Sequence, residues 1–416
     1  MTVKNLILLT HHFPFGTGEP FLESEVPWLA QRFNSVVVIA KDVNSTNCRY
    51  SAPNFYTERI NPQSNILEKI KSLGLFVSKG MNVINCLSDE LIYLKSRNKK
   101  LTFSILRKMI HDLFKALIMA GKIEDTIRHR QLSGEIVFYS YWFTSSALAI
   151  SLVSIKGISA KRVTRAHGGD LYPELHPDHY LSFRQVAAQS LDKIYPASET
   201  GAMVLKDLVD ASLHHKIEVS RLGTTQPSHR PAGRLKDSFV LVSVSSLNRY
   251  KRVHLIIEAL GQIKNVSIHW IHFGDGVLKE EIEILAKQKL NPSAYDFRGR
   301  VSNREIFNFY ENNYVDLFIN VSSTEGIPVS IMEAQSFGIP CVATHVGANS
   351  EIVSNQTGRL VSPKGDPKEI ADAIVSLLTL QAVEKNKLRQ SVLDNWADHY
   401  DSSKNYANFS TNLLNL

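Results

Sequence analysis

The chain has 416 residues, 44% of them hydrophobic and 21% charged. That length predicts two domains of roughly 150–200 residues each, because it exceeds what one core supports, and the composition excludes a disordered protein. No run approaches the roughly 20 apolar residues of a membrane span. The apolar N-terminus predicts a first strand, not a signal peptide, since no small-residue cleavage site follows it. Three scattered cysteines indicate a reducing cytosol.

The net charge of +7 is unevenly distributed. Lys95 to Arg130 holds ten Lys/Arg against three acids, interleaved with apolar residues at helical spacing. The apolar residues are Phe103, Leu106, Ile110, Leu113, Phe114, Leu117 and Ile118. One interpretation is a basic amphipathic helix on an anionic membrane surface, such as the inner membrane. The other is a solvated helix packed on its own domain. Nucleic-acid binding is disfavoured, because no recognition motif accompanies the charge.

Short apolar strands alternate with helical segments along most of the chain. In the first half we predict strands at Asn5–Thr10, Ser35–Ala40, Glu135–Ser140, Lys161–Arg165, Lys193–Ala197 and Lys216–Leu222. In the second half we predict strands at Phe239–Val244, Ser267–Phe273, Phe297, Val315–Ile319, Cys341–Thr344 and Arg359–Val361. The polar segment Gly223–Ser238 between them predicts a linker. The pattern predicts an α/β protein of two doubly wound parallel sheets, with a ligand where the carboxyl ends of the strands face each other.

Polar or glycine-containing groups directly follow many of these strands. They are Gly16 and Gly18, His167, Gly223, Arg249 and Lys251, Gly274 and Gly276, and Glu325 and Gly326. Tight turns alone explain the glycines. They do not explain the charged side chains and the histidine at equivalent positions. The sequence therefore predicts one polar site along these edges.

The stretch Val315–Val353 holds the most informative part of this pattern. Glu325 lies in the loop after a strand, Pro328 opens a helix, and Glu333 is expected about two turns into it. The backbone N–H groups from Gly326 to Ser330 form a helix N-terminus, which attracts phosphate. Two carboxylates beside such a helix end predict a ligand that carries hydroxyls and phosphates.

Basic residues and a histidine add to this prediction. Arg249, Lys251 and Arg252 precede a helix, where cations neutralise a diphosphate, although a solvated basic turn gives the same pattern. His167 either donates to a substrate hydroxyl, transfers a proton, or serves as a capping or core histidine. Asp170 is expected to cap a helix or form a turn.

Other chemistries are disfavoured. His11-His12 and His214-His215 have no carboxylate or cysteine at ligand spacing, so no metal site is expected. Phe21 and Lys279 occupy the third-glycine positions of the dinucleotide fingerprint, which argues against a nicotinamide dehydrogenase. A phosphate loop ending in Gly-Lys-Ser/Thr is also absent from the sequence.

Several motifs resemble the retaining family 4 glycosyltransferases of GT-B fold (glycosyl transferases group 1). The main one is Glu325-Gly-Ile-Pro-Val-Ser-Ile-Met-Glu333, followed by Gly338-Ile-Pro and Gly347-Ala-Asn-Ser-Glu351. Phe273-Gly-Asp-Gly276, Phe297-Arg-Gly-Arg-Val301, Arg165-Ala-His-Gly168 and the Gly16–Glu19 loop extend the resemblance. It covers most of the chain, thinly between about residues 43 and 134.

The resemblance implies two Rossmann-like domains facing across a cleft. They would be an acceptor-binding domain at 1–225 and a donor-binding domain at 226–398, with a C-terminal helix at about 399–416 packing back on the first. Trp396, Tyr400, Tyr406 and Phe409 look like the anchors of that helix. The enzyme would be a hexosyltransferase that is cytoplasmic or peripheral on the cytoplasmic face of the inner membrane. It would transfer a sugar from a UDP- or GDP-sugar to a lipid-linked or surface-polysaccharide glycan, without a cofactor or metal.

The resemblance also implies roles for individual residues. Glu325, His167 and Lys251 would be catalytic, with Glu325 at the donor sugar and Lys251 at the phosphates, while Glu333 would hold the ribose. The remaining donor-binding residues would be Arg249, Gly274, Gly276, Arg300, Gly326, Ile327, Pro328, Val329 and Ser330, and Gly16, Gly18 and Glu19 would form the N-terminal loop.

Two positions depart from the family pattern. Ser246 stands where an arginine is common in the family, and in one interpretation Arg249 replaces that arginine. Arg252 stands where a glycine is common. A nucleotide-sugar epimerase or phosphorylase of the same fold remains an alternative, as does a non-catalytic sugar-binding protein.

Overall fold

The computed structural model describes residues 4–16, 18–41, 45–60, 74, 79–233 and 238–416. Contacts between Cα atoms divide the chain into two compact units. The first comprises Met1–Ser220 with Tyr406–Leu416, and the second comprises Arg221–Asn405. Within the described residues, no helix is both long and apolar enough to cross a membrane.

The first unit contains a six-stranded parallel sheet in the order β3-β2-β1-β4-β5-β6. Its strands are β1 (Lys4–Thr10), β2 (Ser35–Ala40), β3 (Phe55–Arg59), β4 (Glu135–Ser140), β5 (Ser159–Ala166) and β6 (Lys193–Pro196). In the register, Leu6 of β1 pairs with Val36 on one side and Val137 on the other. Because both faces of this sheet are covered, its central strands are buried and nearly continuously apolar.

Helices flank this sheet. They are α1 (Leu22–Arg32), α2 (Gly80–Ser96), α3 (Phe103–His129), α4 (Ser145–Leu152), α5 (Gly168–Leu171), α6 (Arg184–Ser190) and α7 (Glu199–Leu208). The buried stripe of α3 contains Met109, Leu113 and Leu117. The basic stretch that the sequence singles out therefore packs one face into the core of its own unit.

The second unit contains another six-stranded parallel sheet, in the order β12-β11-β10-β7-β8-β9. Its strands are β7 (Phe239–Val244), β8 (Ile268–Phe273), β9 (Tyr295–Phe297), β10 (Leu317–Asn320), β11 (Cys341–Thr344) and β12 (Gly358–Val361). Its helices are α8 (Val253–Leu260), α9 (Lys279–Lys289), α10 (Asn303–Asn312), α11 (Val329–Ser336), α12 (Asn349–Ile352), α13 (Pro367–Leu378) and α14 (Ala382–His399). The predicted pair of doubly wound parallel sheets is confirmed.

The last helix, α15 (Ser402–Leu414), returns the chain to the first unit. The ring centroid of Phe409 lies 5.4 Å from that of Tyr139 and 5.2 Å from that of Tyr195. Trp396 and Tyr400 belong to the second unit instead. There the indole of Trp396 donates to Thr224 Oγ1 at 2.8 Å. The predicted anchors thus divide between the two units.

Two predictions about the middle of the chain need correction. Lys216–Leu222 is not a strand, because it follows a 3₁₀ turn and makes only an isolated bridge between Ile217 and Ile194. The start of the predicted linker is packed: the N–H of Thr224 donates to the carbonyl of Tyr400 at 2.9 Å. Residues 234–237 of that segment lie outside the described residues.

Candidate active site

Glu325 lies in the loop that leaves the carboxyl end of β10 in the second unit. Asn320, the last residue of β10, shapes this loop with both ends of its amide. Its Nδ2 donates to Glu325 Oε1 at 3.1 Å, and its Oδ1 accepts the N–H of Ser322 at 3.1 Å. The strand end therefore holds the carboxylate in place.

Lys251 approaches the same carboxylate from the loop after β7. Its Nζ lies 2.6 Å from Glu325 Oε1, and the side chains of Lys251 and Glu325 are 27% and 10% exposed. Asn248 shapes the lysine turn, because its Oδ1 accepts the N–H groups of Tyr250 and Lys251. β7 and β10 are neighbours in the sheet, so a pair distant in sequence meets at one sheet edge.

Gly347 lets a second loop lie against Glu325. A Cβ atom at Gly347 would be 1.8 Å from the carbonyl oxygen of Glu325, and the glycine has a φ of +50°. The N–H of Ala348 donates to the carbonyl of Gly326 at 3.2 Å. Only glycine fits this close approach, which explains why the sequence motif includes it.

The N-terminus of α11 begins beside this pair. Pro328 is its N-cap residue, and the first N–H groups of a helix have no partner within the helix. Gly326, Ile327, Val329 and Ser330 lie at this end, where the helix dipole favours an anion. The arrangement suits the phosphates of a ligand.

Glu333 is the fifth residue of α11, about one turn into the helix and not two as predicted. Its Oε1 accepts Nδ2 of Asn303 at 2.6 Å. Burial raises the pKa of this carboxyl to about 7, and the hydrogen bond from Asn303 opposes the rise. A buried carboxylate with spare acceptor capacity suits the hydroxyls of a ribose.

The three cations that precede α8 have different environments. Lys251 pairs with Glu325, and Arg249 is exposed. Arg252 was expected to meet a diphosphate, but its guanidinium donates to the carbonyls of Val321, Ser322, Pro363 and Lys364. That expectation is wrong, because these backbone contacts occupy the guanidinium. Arg252 also has a φ of +48°, a conformation that explains why glycine is common there.

Gly274 and Gly276 follow β8 and pack on the loop that follows β7. A Cβ atom at Gly274 would lie 1.7 Å from the carbonyl oxygen of Ser245. The N–H of Gly274 donates to the carbonyl of Gly299 at 2.8 Å, next to the exposed Arg300. The loops after β7, β8 and β9 are therefore joined by direct backbone contacts.

In the first unit, His167 follows β5 and begins the short helix α5. Its N–H donates to Asp170 Oδ1 at 2.5 Å, so Asp170 caps the helix as expected. The imidazole packs between Tyr141 and Trp142, with ring centroids 4.7 and 4.8 Å away. Burial and the charge of Arg165 lower its pKa to about 3. A neutral imidazole favours hydrogen bonding to a hydroxyl over proton transfer near pH 7.

The N-terminal loop is organised by Glu19. Its carboxylate accepts the N–H groups of His11, His12 and Phe13 at 2.7–2.9 Å and the indole N–H of Trp142 at 2.5 Å. Gly16, with a φ of +61°, and Gly18 complete the turn. These contacts join the carboxyl ends of β1 and β4.

Sequence reasoning missed several residues that position the site, including Asn248, Asn303 and Asn320. Asparagine is common in turns, and only the folded chain shows that these amides meet the functional groups. It also missed Arg165, whose Nε lies 3.2 Å from Glu25 Oε2 in a fully buried pair. Across the described part of the chain, no group of three or more His, Cys, Asp or Glu residues is arranged to hold a metal ion.

The fold is of the GT-B type, with two Rossmann-like units. A solved structure of the Anabaena protein HepE, in complex with UDP and glucose, has 14% identity and a TM-score of 0.67, and the match covers 99% of each chain. At this identity, the likeness shows the fold alone.

Residues 225–393 match the family described as glycosyl transferases group 1. In these residues, all of which lie in the second unit, the chain is similar to that family. WcaL of Escherichia coli strain K12, named for colanic acid biosynthesis, is 28% identical over 257 residues, 60% of this chain and 63% of WcaL. The amylovoran biosynthesis glycosyltransferase AmsK of Erwinia amylovora is 24% identical over 58% of this chain and 61% of AmsK. The chain thus spans less than two thirds of these relatives.

Proposed function

We propose that this protein is a retaining glycosyltransferase in polysaccharide biosynthesis that transfers a sugar from a UDP- or GDP-sugar to a glycan hydroxyl. The observation that carries the proposal is the 2.6 Å pair of Lys251 and Glu325, beside the N-terminus of α11. HepE, which shares the fold, is described with UDP and glucose. No metal or other cofactor is part of the proposal.

Charge development during transfer fits this arrangement. The bond between the anomeric carbon and the diphosphate oxygen breaks, its electron pair stays on the diphosphate, and the acceptor oxygen bonds to the anomeric carbon. Positive charge grows on the sugar and negative charge on the diphosphate. Glu325 would stabilise the first. Lys251, Arg249 and the N–H groups of α11 would stabilise the second.

The acceptor hydroxyl must also lose its proton. With a pKa lowered to about 3, His167 is a weak base, so its proposed role is to hold a substrate hydroxyl. The proton would pass to the departing diphosphate oxygen, which gains negative charge as the bond breaks. Glu333, with Asn303, would bind the ribose.

We also propose a lipid-linked or membrane-proximal acceptor, with the protein peripheral on the cytoplasmic face of the inner membrane. Support comes from α3 and the residues before it. Of the apolar residues predicted there, Leu113 and Leu117 are buried, whereas Phe103, Leu106 and Ile110 are exposed. The exposed ones lie on the same face of the helix and near Lys99, Lys100 and Arg107. An anionic lipid surface would cover apolar and basic groups together.

The test is a thermal-unfolding screen of UDP- and GDP-sugars, followed by transfer assays with the donor that stabilises the protein, since a bound donor raises stability by mass action. Transfer should require an acceptor. Conversion of the free nucleotide sugar without an acceptor would indicate an epimerase. Stabilisation by sugars alone, without turnover, would indicate a binding protein.

A further inference from the structure

A surface cavity of about 470 Å³ lies in the first unit. One wall comes from the end of α2 and the residues after it. The other comes from the segment between α5 and α6. The lining side chains used below are Tyr93, Arg97, Lys99, His179, Tyr180 and Arg184.

The backbone around this cavity is strained. The structure has seven non-glycine residues with positive φ among those described, and four of them lie in or beside the cavity lining. They are Asn98, Asp178, His179 and Phe183, with φ between +48° and +58°. An aromatic residue in this conformation is an outlier, and such strain concentrates at functional sites.

A buried carboxylate stabilises the strained segment. Glu90 of α2 accepts the hydroxyl of Tyr180 at 2.5 Å and the N–H of Phe183 at 2.9 Å. This contact fixes the two walls against each other. The cavity is thus built by specific contacts between elements distant in sequence.

The charged groups in the lining are mostly cationic. Arg97, Lys99 and Arg184 line the cavity, together with one carboxylate, Asp207. Arg97 lies with its Cζ 5.5 Å from the centroid of Tyr93, and Lys99 Nζ donates to the carbonyl of His179 at 2.5 Å. Within the described ranges, neither cation has an ion-pair partner. Both are therefore available to an anion.

Exposed apolar side chains border the same segment. On α2 they are Met81, Ile84, Leu91 and Ile92, and beyond it they are Leu101, Phe103, Leu106 and Ile110. Met81 is 72% exposed and Phe103 is 82% exposed. The helical residues form one stripe on each helix, and the residues of Arg97–Thr102 connect the two. Exposed apolar side chains therefore lie on both helices that flank the segment Arg97–Thr102.

We propose that the cavity binds the phosphate of a long-chain lipid, a phosphate monoester or the terminal phosphate of a diphosphate, whose apolar chain lies along the stripes. This inference rests on the proposed function, because it gives the proposed membrane contact a specific lipid headgroup. Arg97 and Lys99 contact the phosphate, with the arginine suited to bidentate contact.

The cavity is also connected to His167. The guanidinium of Arg184 donates to the carbonyl of Asp170 at 3.2 and 3.3 Å. Asp170 in turn accepts the N–H of His167 at 2.5 Å. The cavity lining and the proposed hydroxyl-binding histidine therefore belong to one hydrogen-bonded loop system.

The experiment uses a matched pair of charge variants in the full chain. R97Q/K99Q removes two of the three cavity cations, and K100Q/R107Q removes two cations of the same basic segment that do not line the cavity. Calorimetric titration with octyl phosphate should show at least tenfold weaker binding for R97Q/K99Q and less than twofold for K100Q/R107Q. Equal losses, or no binding of octyl phosphate by the wild type, would overturn the proposal.

Vesicles distinguish the sources of phosphate. Binding to phosphatidylcholine vesicles with phosphatidic acid should exceed binding to vesicles with phosphatidylglycerol at matched charge, and only R97Q/K99Q should lose that preference.

Inorganic phosphate should bind more weakly than octyl phosphate, because it has no apolar chain. Stronger binding of inorganic phosphate would make this an anion site and reject the lipid. None of these measurements needs turnover, so transfer to a soluble acceptor tests the proposed function separately.

Discussion

The Nζ of Lys251 and Oε1 of Glu325 lie 2.6 Å apart, although 74 residues separate them in the chain. The pair forms because β7 and β10 are adjacent and parallel, so that the loops at their carboxyl ends meet. In the proposed transfer, Glu325 would stabilise the positive charge that develops on the sugar, and Lys251 would stabilise the negative charge on the diphosphate.

The variants E325Q and K251Q should each lower glycosyl transfer at least tenfold, since loss of one charge-stabilising group costs about 3 kcal/mol in the transition state. Thermal unfolding should change little. The matched control is K279Q, which removes the cation of an exposed pair with Asp275 in the same unit. Turnover like that of the wild type in either site variant, with a verified product, would contradict the assignment.

Glu333 should make donor binding depend on pH. Its carboxyl has a pKa raised to about 7, whereas ribose hydroxyls donate to the ionised form. The affinity for UDP or GDP should therefore fall about fivefold from pH 7 to pH 6, as the carboxylate gains a proton. Calorimetric titration across this range tests the slope. E333Q should bind UDP or GDP more weakly than the wild type, with an affinity that does not change with pH. If the affinity of E333Q still changed with pH, another group would be responsible for the pH dependence.

The same group should affect folding stability in the opposite direction. The folded-state pKa lies above the ordinary 4.5, so the folded chain holds a proton that the unfolded chain releases. Stability should fall as pH rises from about 4.5 to about 7, by up to about 3 kcal/mol. The difference between wild type and E333Q in urea unfolding should follow this window, and a flat difference would place Glu333 in a more hydrated setting.

Arg252 should act on stability and not on the donor. R252A removes the donor groups to four backbone carbonyls, so we expect a loss of about 1–3 kcal/mol. The thermal shift that UDP or GDP induces should be unchanged. If UDP or GDP raised the unfolding temperature less in R252A than in the wild type, and by the wild-type amount in R249A, Arg252 would be assigned to phosphate binding.

Arg165 should be essential to the first unit. R165M leaves Glu25 buried without its cation, which costs about 3–5 kcal/mol, and it removes the guanidinium 3.9 Å from the ring centroid of Phe409 in α15. The double variant R165M/E25Q should recover part of this loss in urea unfolding. K193M is the control, because its pair with Glu218 is partly exposed and is worth about 1 kcal/mol or less. Equal losses of unfolding free energy in R165M and K193M would show that the buried pair stabilises the first unit no more than the partly exposed pair does.

Much of the fold follows from local patterns. Runs such as Val36–Ile39 are apolar at every position, which is typical of parallel strands buried on both faces, and the helices between them predict the doubly wound order. β3 escaped prediction because Phe55–Arg59 is short and largely polar. Lys216–Leu222 was mistaken for a strand because its composition resembles one, whereas the folded segment pairs with β6 only through the isolated bridge between Ile194 and Ile217.

The sequence by itself determined the fold class of the protein and predicted the residues of its candidate site, because the two glutamates, the lysine and the glycines of the loops are local motifs. Only the tertiary structure decided how each group is used. In the fold, the guanidinium of Arg252 donates to backbone carbonyls, and Glu333 is buried, which raises the pKa of its carboxyl. The cations Arg97 and Lys99 line a cavity near exposed apolar side chains. These outcomes depend on burial and on neighbours distant in sequence, and a linear pattern does not contain either.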